Sequence, residues 1–241
     1  MKFIKKLLIT ILIIALVVVS TIIYLGYNMY KKVTNETSIA NKVAKIEDSA
    51  NYVSIDEIPD SFKNAIIATE DRRFRDHNGF DIISFGRAIV TNFKDGELSE
   101  GGSTITQQLG RNMYFTQEKL FTRKIAELFV AFDLEDNYSK DKILELYINT
   151  IYYGDGYTGI KKAAQGYFNK APSELTLYEA TLLAGLPNAP SIYSPTKNIQ
   201  LAHKRQEQVL NSMVREGYMS EKERESVNQV QSKVIEEGVL K

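Results

Sequence analysis

The sequence predicts an all-α protein in which a domain of many helices follows one N-terminal membrane helix. Three observations support this prediction. A run from Leu7 to Tyr30 carries no charged residue and is almost wholly apolar. In the rest of the chain, apolar side chains recur every three or four residues, which is helical spacing. Glycines and prolines separate these segments, and the alternation typical of strands is scarce.

The N-terminal apolar run is long enough to cross a bilayer, since about twenty apolar residues suffice. A cleaved signal peptide or a buried core helix are the alternatives. A signal peptide has a shorter apolar region and a small-x-small cleavage site, so we favour an uncleaved anchor. Lysines before the run favour a cytoplasmic N-terminus, although Lys31 and Lys32 weaken that bias. The predicted segments are a cytoplasmic tail (1–6), an anchor (7–30), a juxtamembrane stalk (31–53) and an extracytoplasmic domain (54–241).

Composition excludes several classes of function. The 241 residues include 30 basic and 30 acidic side chains, so a net charge of zero gives no indication of nucleic-acid binding. The absence of cysteine excludes disulfides, thiolate metal sites and a cysteine nucleophile. The two histidines, His77 and His203, are too few for a histidine-rich metal site.

Capping residues and apolar spacing predict the helices of the domain in order. Pro59 suits a first helical position, and Thr104 with Gln107 forms a capping box. The starts predicted for the following helices lie near Ile82, Thr104, Thr122, Ser139, Ile160, Thr176, Asn198 and Ser220. The helix after Ser139 is strongly apolar and is predicted to be central.

An acid stands at the end of the helix that follows Pro59. The apolar row Phe62, Ile66 continues to Glu70, where another apolar side chain is expected. A carboxylate held against apolar neighbours resists ionisation, which suits a group that exchanges a proton near neutral pH. The alternative is a solvated, charged helix end, because Glu70 is followed by a dense run of charges up to His77.

A second acid, Glu127, lies on one helix face with Arg123 and Lys124. A plain surface ion pair is the alternative. However, Arg111 and the helix start near Ser103 supply a further cation and unpaired backbone N–H groups, which bind phosphate oxygens. No nucleotide-binding motif is present, so a phosphorylated lipid is indicated. Two separated carboxylates also suit chemistry at the anomeric carbon of a sugar.

Five segments carry a family resemblance. They are EDRRFRDHNGFD, GGSTITQQLGRN, RKIAELFVAFDLE, KDKILELYINTIYYGDGYTGIKKAAQGYF and LTLYEATLLAGLPNAPSIYSP. In this order, between about Ser54 and Tyr193, they resemble the five motifs of the peptidoglycan glycosyltransferases, family 51. The resemblance implies a lysozyme-like, mostly α-helical fold with a membrane-proximal jaw lobe, here at roughly 82–120. The chain is too short for the transpeptidase domain of bifunctional members and so resembles the monofunctional transglycosylases.

The resemblance also implies residue roles. Glu70 would be the general base for the 4-hydroxyl of the acceptor, lipid II. Glu127 would assist departure of the donor's lipid pyrophosphate, by orienting it or the groups around it. The implied binding residues are Arg111, Arg123 and Lys124 at the pyrophosphate, Gly101, Thr104, Gln108 and Asn112 on the donor side, and Asp71, Phe74 and His77 around Glu70. Many family members have lysine in place of Arg111. The LELYINTIYYG block is assigned to core packing.

The activity implied is polymerisation of lipid II into β-1,4 glycan, with inversion and release of undecaprenyl pyrophosphate. The implied partners are the growing lipid-linked glycan, the bacterial cytoplasmic membrane and other cell-wall synthesis proteins. Mg²⁺ or Mn²⁺ could share the pyrophosphate, although the sequence shows no dedicated metal site. Two other hypotheses are a lysozyme-like glycan-cleaving enzyme that uses Glu70 as an acid, and a noncatalytic membrane-anchored scaffold. The cations near Glu127 argue against glycan cleavage, because a sugar–sugar bond has no pyrophosphate to bind.

Overall fold

The structure, a computed structural model, describes residues 2–95, 101–115 and 121–237. These residues form helices and no strand, and Tyr152 and Thr158 make an isolated antiparallel bridge, so the all-α prediction is confirmed. The predicted jaw lobe includes 96–100 and 116–120, which lie outside the described residues. The helices are α1 (Lys2–Glu36), α2 (Ile39–Glu47), α3 (Asp60–Glu70), α4 (Ile82–Asp95), α5 (Ile105–Tyr114), α6 (Phe121–Asn137), α7 (Lys140–Thr150), α8 (Ile160–Phe168), α9 (Leu177–Gly185), α10 (Pro190–Tyr193), α11 (Ile199–Arg215) and α12 (Glu221–Glu237), with 3₁₀ turns at Ile55–Glu57, Pro172–Glu174 and Leu186–Asn188.

Polar side chains cap several of these helices as the sequence predicts. Thr104 accepts from the backbone N–H of Gln107 at the start of α5, and Ser139 and Thr176 cap α7 and α9 in the same way. Thr122, near which the sequence predicts a capped helix start, lies inside α6 and is not its cap. Pro59 is the N-cap of α3 rather than its first helical residue.

The core is built around α7, as predicted. Its residues Ile143, Leu144, Leu146, Tyr147 and Ile148 are fully buried. Helix α5 packs between α6 and α7, while α3 packs against α9 and α11. This arrangement brings the C-terminal end of α3 towards both α5 and α11.

Helix α1 is continuous over 35 residues and has two parts. Its large apolar side chains from Phe3 to Leu25 are exposed, apart from the half-buried Ile22. By length and composition, the helix could cross a membrane. From Gly26 onwards it packs on α6: a Cβ at Gly26 would lie 2.5 Å from Cβ of Ile125, and the Tyr30 hydroxyl donates to Asp133 at 2.9 Å. The predicted anchor boundary at residue 30 therefore falls inside a helix that is partly docked on the domain.

Candidate active site

A polar cavity of about 420 Å³ lies where the C-terminal end of α3, the start of α5 and one face of α11 meet. Two carboxylates, Glu70 and Asp71, line it. Five guanidinium groups line it as well, those of Arg72, Arg87, Arg111, Arg205 and Arg215. Such a concentration of arginine produces a positive potential that attracts an anionic ligand.

Glu70 reaches this cavity because it ends α3. The preceding members of its helical row, Phe62 and Ile66, are fully buried, so the row passes from the core to the cavity edge. The Glu70 side chain is 11% exposed. Nε2 of Gln108 donates to Oε2 at 3.0 Å, and Nη2 of Arg205 lies 3.8 Å from Oε1. The carboxylate is therefore held by an amide and a cation while remaining open to a ligand.

Asp71 ties the segment after α3 to the start of α5. Its buried carboxylate lies 2.9 Å from Nε2 of His77 and accepts from the backbone N–H of Ile105 at 3.0 Å. Thr104 donates to the carbonyl of Gly79 at 2.8 Å. Phe74 is fully buried, with the Lys140 ammonium 4.6 Å from its ring centre. These contacts fix the loop behind Glu70, so His77 and Phe74 support the cavity from outside it.

Glu127 stands in a different environment, since it is only 2% exposed within α6. Nε of Arg123 lies 3.0 Å from its Oε1. Burial raises the pKa of Glu127, against the opposing effects of Arg123, Arg111 and Lys124.

The Lys124 ammonium, next to Glu127 along α6, donates to Ser103 at 2.5 Å. Although Lys124 is exposed as a whole residue, loss of water around the ammonium lowers the pKa of Lys124. The nearby Arg111 and Arg123 charges add to that effect, while Glu127 opposes it. Lys124 therefore reaches the loop that forms one wall of the cavity, because Ser103 lines the cavity.

The structure brings some of the predicted residues together at the cavity and leaves others behind it. Those that line it are Glu70, Asp71, Gly101, Thr104, Gln108 and Arg111. Among the described residues, the lining does not include Glu127, Arg123, Lys124, Phe74 or His77. Asn112 lies in a separate groove of about 320 Å³, between α7 and the segment around Tyr52.

The contribution of α11 to the cavity is not predicted by the sequence. Arg205 donates through Nε to the carbonyl of Gly185 at 3.3 Å and through Nη1 to Gln208 at 2.7 Å, which holds its guanidinium near Glu70. Gln208, Ser212 and Arg215 also line the cavity. The sequence predicts an amphipathic helix here but does not indicate what its polar face contacts. That face lines the cavity because α11 packs on α3.

The described residues at the cavity do not form a ligand set for a divalent cation. In the parts of the chain that the structure describes, no group of three or more histidine, cysteine, aspartate or glutamate side chains could hold a metal. Among the described residues that line the cavity, only Glu70 and Asp71 are carboxylates, and Asp71 is already bound by His77 and Ile105. The described residues at the cavity therefore offer no ligand set that fits Mg²⁺ or Mn²⁺.

Comparison with known proteins identifies the family. A family model described as transglycosylase matches residues 36–214. Penicillin-binding protein 1A/1B of Bacillus subtilis is 46% identical over 194 residues, which are 80% of this chain and 21% of that protein. Penicillin-binding protein 1A of Aquifex aeolicus is 47% identical over 178 residues, 73% of this chain and 24% of that protein.

A crystal structure of penicillin-binding protein 1A from Haemophilus influenzae matches 73% of this chain and 16% of its own, with 25% identity and a TM-score of 0.44. The chain spans about a fifth of the length of the curated relatives it matches, 21% in the case of the Bacillus protein. Since the family model covers most of the sequence, the chain belongs to the transglycosylase family, glycosyltransferase family 51.

Proposed function

We propose that this protein is a peptidoglycan glycosyltransferase that polymerises lipid II at a membrane surface and releases the lipid pyrophosphate. The observation that carries the proposal is the position of Glu70, a carboxylate open to a cavity lined by five arginines. The carboxylate suits a base, and the arginines suit a pyrophosphate. Membership of the transglycosylase family supports the same reaction class.

In the proposed reaction, Glu70 removes the proton from the 4-hydroxyl of the acceptor sugar. A sugar hydroxyl is a poor nucleophile, so a base is needed as the oxygen attacks. The N–H of Gln108 and the guanidinium of Arg205 keep the carboxylate directed at the cavity. Attack on the face opposite the α-linked pyrophosphate inverts the anomeric centre and forms a β-1,4 bond without a covalent enzyme intermediate.

Negative charge grows on the lipid pyrophosphate as it leaves. Nearby cations stabilise that charge, so a proton donor is less important. Arginines placed in advance around the cavity supply those cations, with Arg111 on the α5 side. Because Glu127 is buried and pairs with Arg123, we assign it a positioning role: it holds the cations of α6 rather than touching substrate.

Glycan cleavage is less well supported. Inverting hydrolysis requires a second carboxylate that activates water across the bond. Among the described residues, the other carboxylate that lines the cavity is Asp71, which already accepts from Ile105 and contacts His77. The arginine lining would also have no pyrophosphate to bind at a sugar–sugar bond.

Location and partners belong to the same proposal. We propose that α1 anchors the chain in the bacterial cytoplasmic membrane with its N-terminus inside and the domain outside. The partners would be lipid II, the growing lipid-linked glycan and other cell-wall synthesis proteins. The exposed apolar part of α1, from Phe3 to Leu25, supports the anchor.

The test is to incubate the purified full chain in detergent with lipid II, with either EDTA or Mg²⁺ present, and to size the product. Long glycan and free lipid pyrophosphate are expected. Shortening of preformed glycan in place of polymerisation would support a cleaving enzyme. No reaction under either condition would favour the noncatalytic scaffold.

A further inference from the structure

Tyr147 is a buried tyrosine that the proposed mechanism has not used. It lies in the middle of α7, within the segment that sequence analysis assigned to core packing, and its side chain is fully buried. Its hydroxyl donates to Oε1 of Gln108 at 3.2 Å. Nε2 of the same amide donates to Glu70 at 3.0 Å. A continuous chain of hydrogen bonds therefore runs from the core, through one amide, to the carboxylate in the cavity.

The direction of this chain is set by its last member. An ionised carboxylate can only accept, so Gln108 must present its NH₂ group to Glu70. The amide oxygen then faces the core and needs a donor, which the Tyr147 hydroxyl supplies. Burial, followed by the neighbouring charge of Glu70, raises the pKa of Tyr147 well above its usual range, so the hydroxyl keeps the proton it donates.

We propose that Tyr147 is a positioning residue for the reaction: by holding the oxygen of the Gln108 amide, it fixes the NH₂ group of that amide on the Glu70 carboxylate. This inference rests on the proposed function, since it assigns the partner of the proposed base. Gln108 is half-buried and lines the cavity. Without the hydroxyl, its side chain is free to turn its oxygen towards Glu70 or to swing into the substrate space.

The first test is Tyr147→Phe in the full chain, which keeps the ring and removes the donor. A buried amide oxygen that loses its donor, and that then no longer fixes the Gln108 NH₂ group on the charged Glu70, is worth enough to change a rate by about tenfold. We therefore expect kcat with lipid II to fall about tenfold while KM stays within about twofold, because Tyr147 does not line the cavity.

Tyr153→Phe is the matched control. Tyr153 is also fully buried, but its hydroxyl donates to the backbone carbonyl of Ile148 at 3.3 Å. Both variants lose one buried hydroxyl, so both should lose a similar amount of thermal stability, while Tyr153→Phe should keep the kcat of the wild type. Equal kcat values in the two variants would overturn the inference.

A double-mutant cycle with Gln108→Met separates positioning from packing. If Tyr147 acts through the amide, Tyr147→Phe should lower kcat no further once the amide is gone. A full tenfold loss in the Gln108→Met background would show that Tyr147 acts by another route and would contradict the inference. Failure of the wild-type chain to polymerise lipid II would instead refute the proposed function, so the two failures are distinguishable.

Discussion

At the scale of the residue, Glu70 at the cavity and Glu127 within α6 differ in what surrounds them. Glu70 opens to the cavity and is held by Gln108, whereas Glu127 is 2% exposed beside Arg123. An ionised carboxylate that is removed from water is costly even when it is paired. Burial accordingly raises the pKa of Glu127 despite three nearby cations. The environment therefore favours a base at Glu70 and a positioning role at Glu127.

The raised pKa of Glu127 should show in how the free energy of unfolding depends on pH, when wild type is compared with Glu127→Gln. A carboxyl whose pKa is raised by folding binds protons more tightly in the folded chain, so its contribution to stability declines as pH rises above its ordinary value of 4.5. Urea unfolding at pH 4.5, 6 and 7.5 should show wild type losing stability relative to Glu127→Gln as pH rises. If the difference in the free energy of unfolding between wild type and Glu127→Gln stayed constant across that pH series, a raised pKa of Glu127 would be contradicted.

Lys124 tests whether the cations of α6 support the pyrophosphate site. Its ammonium holds Ser103 on the cavity wall, so Lys124→Ala should loosen that wall and raise KM for the lipid II donor by about tenfold, which corresponds to one lost hydrogen bond from a charged group. Lys222→Ala, an exposed change on α12, is the control and should leave KM unchanged. Equal KM values for the two variants would argue against a pyrophosphate site near α6.

At the scale of the element, local sequence predicted the helices well. Apolar spacing gave the core face of α7, and side-chain caps marked the starts of α5, α7 and α9. The contact between Arg205 and Glu70 could not be predicted from local sequence. It forms because α11 packs against α3, although the two residues are far apart in the chain. The sequence also does not indicate that α1 continues past residue 30. Its last turns are polar, and packing on α6 stabilises them.

Gly26 tests the docking of α1 on α6. An added Cβ would lie 2.5 Å from Ile125, so Gly26→Ala should push the helices apart, at a cost of roughly 1–3 kcal/mol. Hydrogen exchange of amides 27–36 should then become faster. In Gly86→Ala on α4, the new Cβ meets none of the described atoms within 4 Å, and exchange at 27–36 should match wild type. Unchanged exchange in Gly26→Ala would mean that α1 does not need this close contact.

At the scale of the whole molecule, α1 joins an exposed apolar segment to the domain. Its free part ends near Leu25, and its docked part covers Phe129 through Tyr27 and Tyr30, whose ring centres lie 5.2 and 5.7 Å from that of Phe129. If the free part lies in a bilayer, this continuous helix would hold the cavity close to the membrane surface.

Two deletions separate the roles of the two parts. Removing residues 2–24 should release the protein from liposomes, because it deletes most of the exposed apolar surface and leaves the docked part in place. Removing residues 2–36 should release it as well and should also lower the midpoint of thermal unfolding, since Phe129 loses its aromatic cover. If the protein that lacks residues 2–24 still sedimented with liposomes, the interpretation of α1 as a membrane anchor would be contradicted.

The most direct measurement is the rate of lipid II polymerisation by the purified full chain carrying Glu70→Gln. The amide keeps the shape of the side chain but cannot accept the acceptor's proton, so the rate should fall by at least about 100-fold with unchanged thermal unfolding. Glu225→Gln, an exposed change on α12, should polymerise at the wild-type rate. Polymerisation by Glu70→Gln at the rate of Glu225→Gln would contradict the assignment of Glu70 as the base.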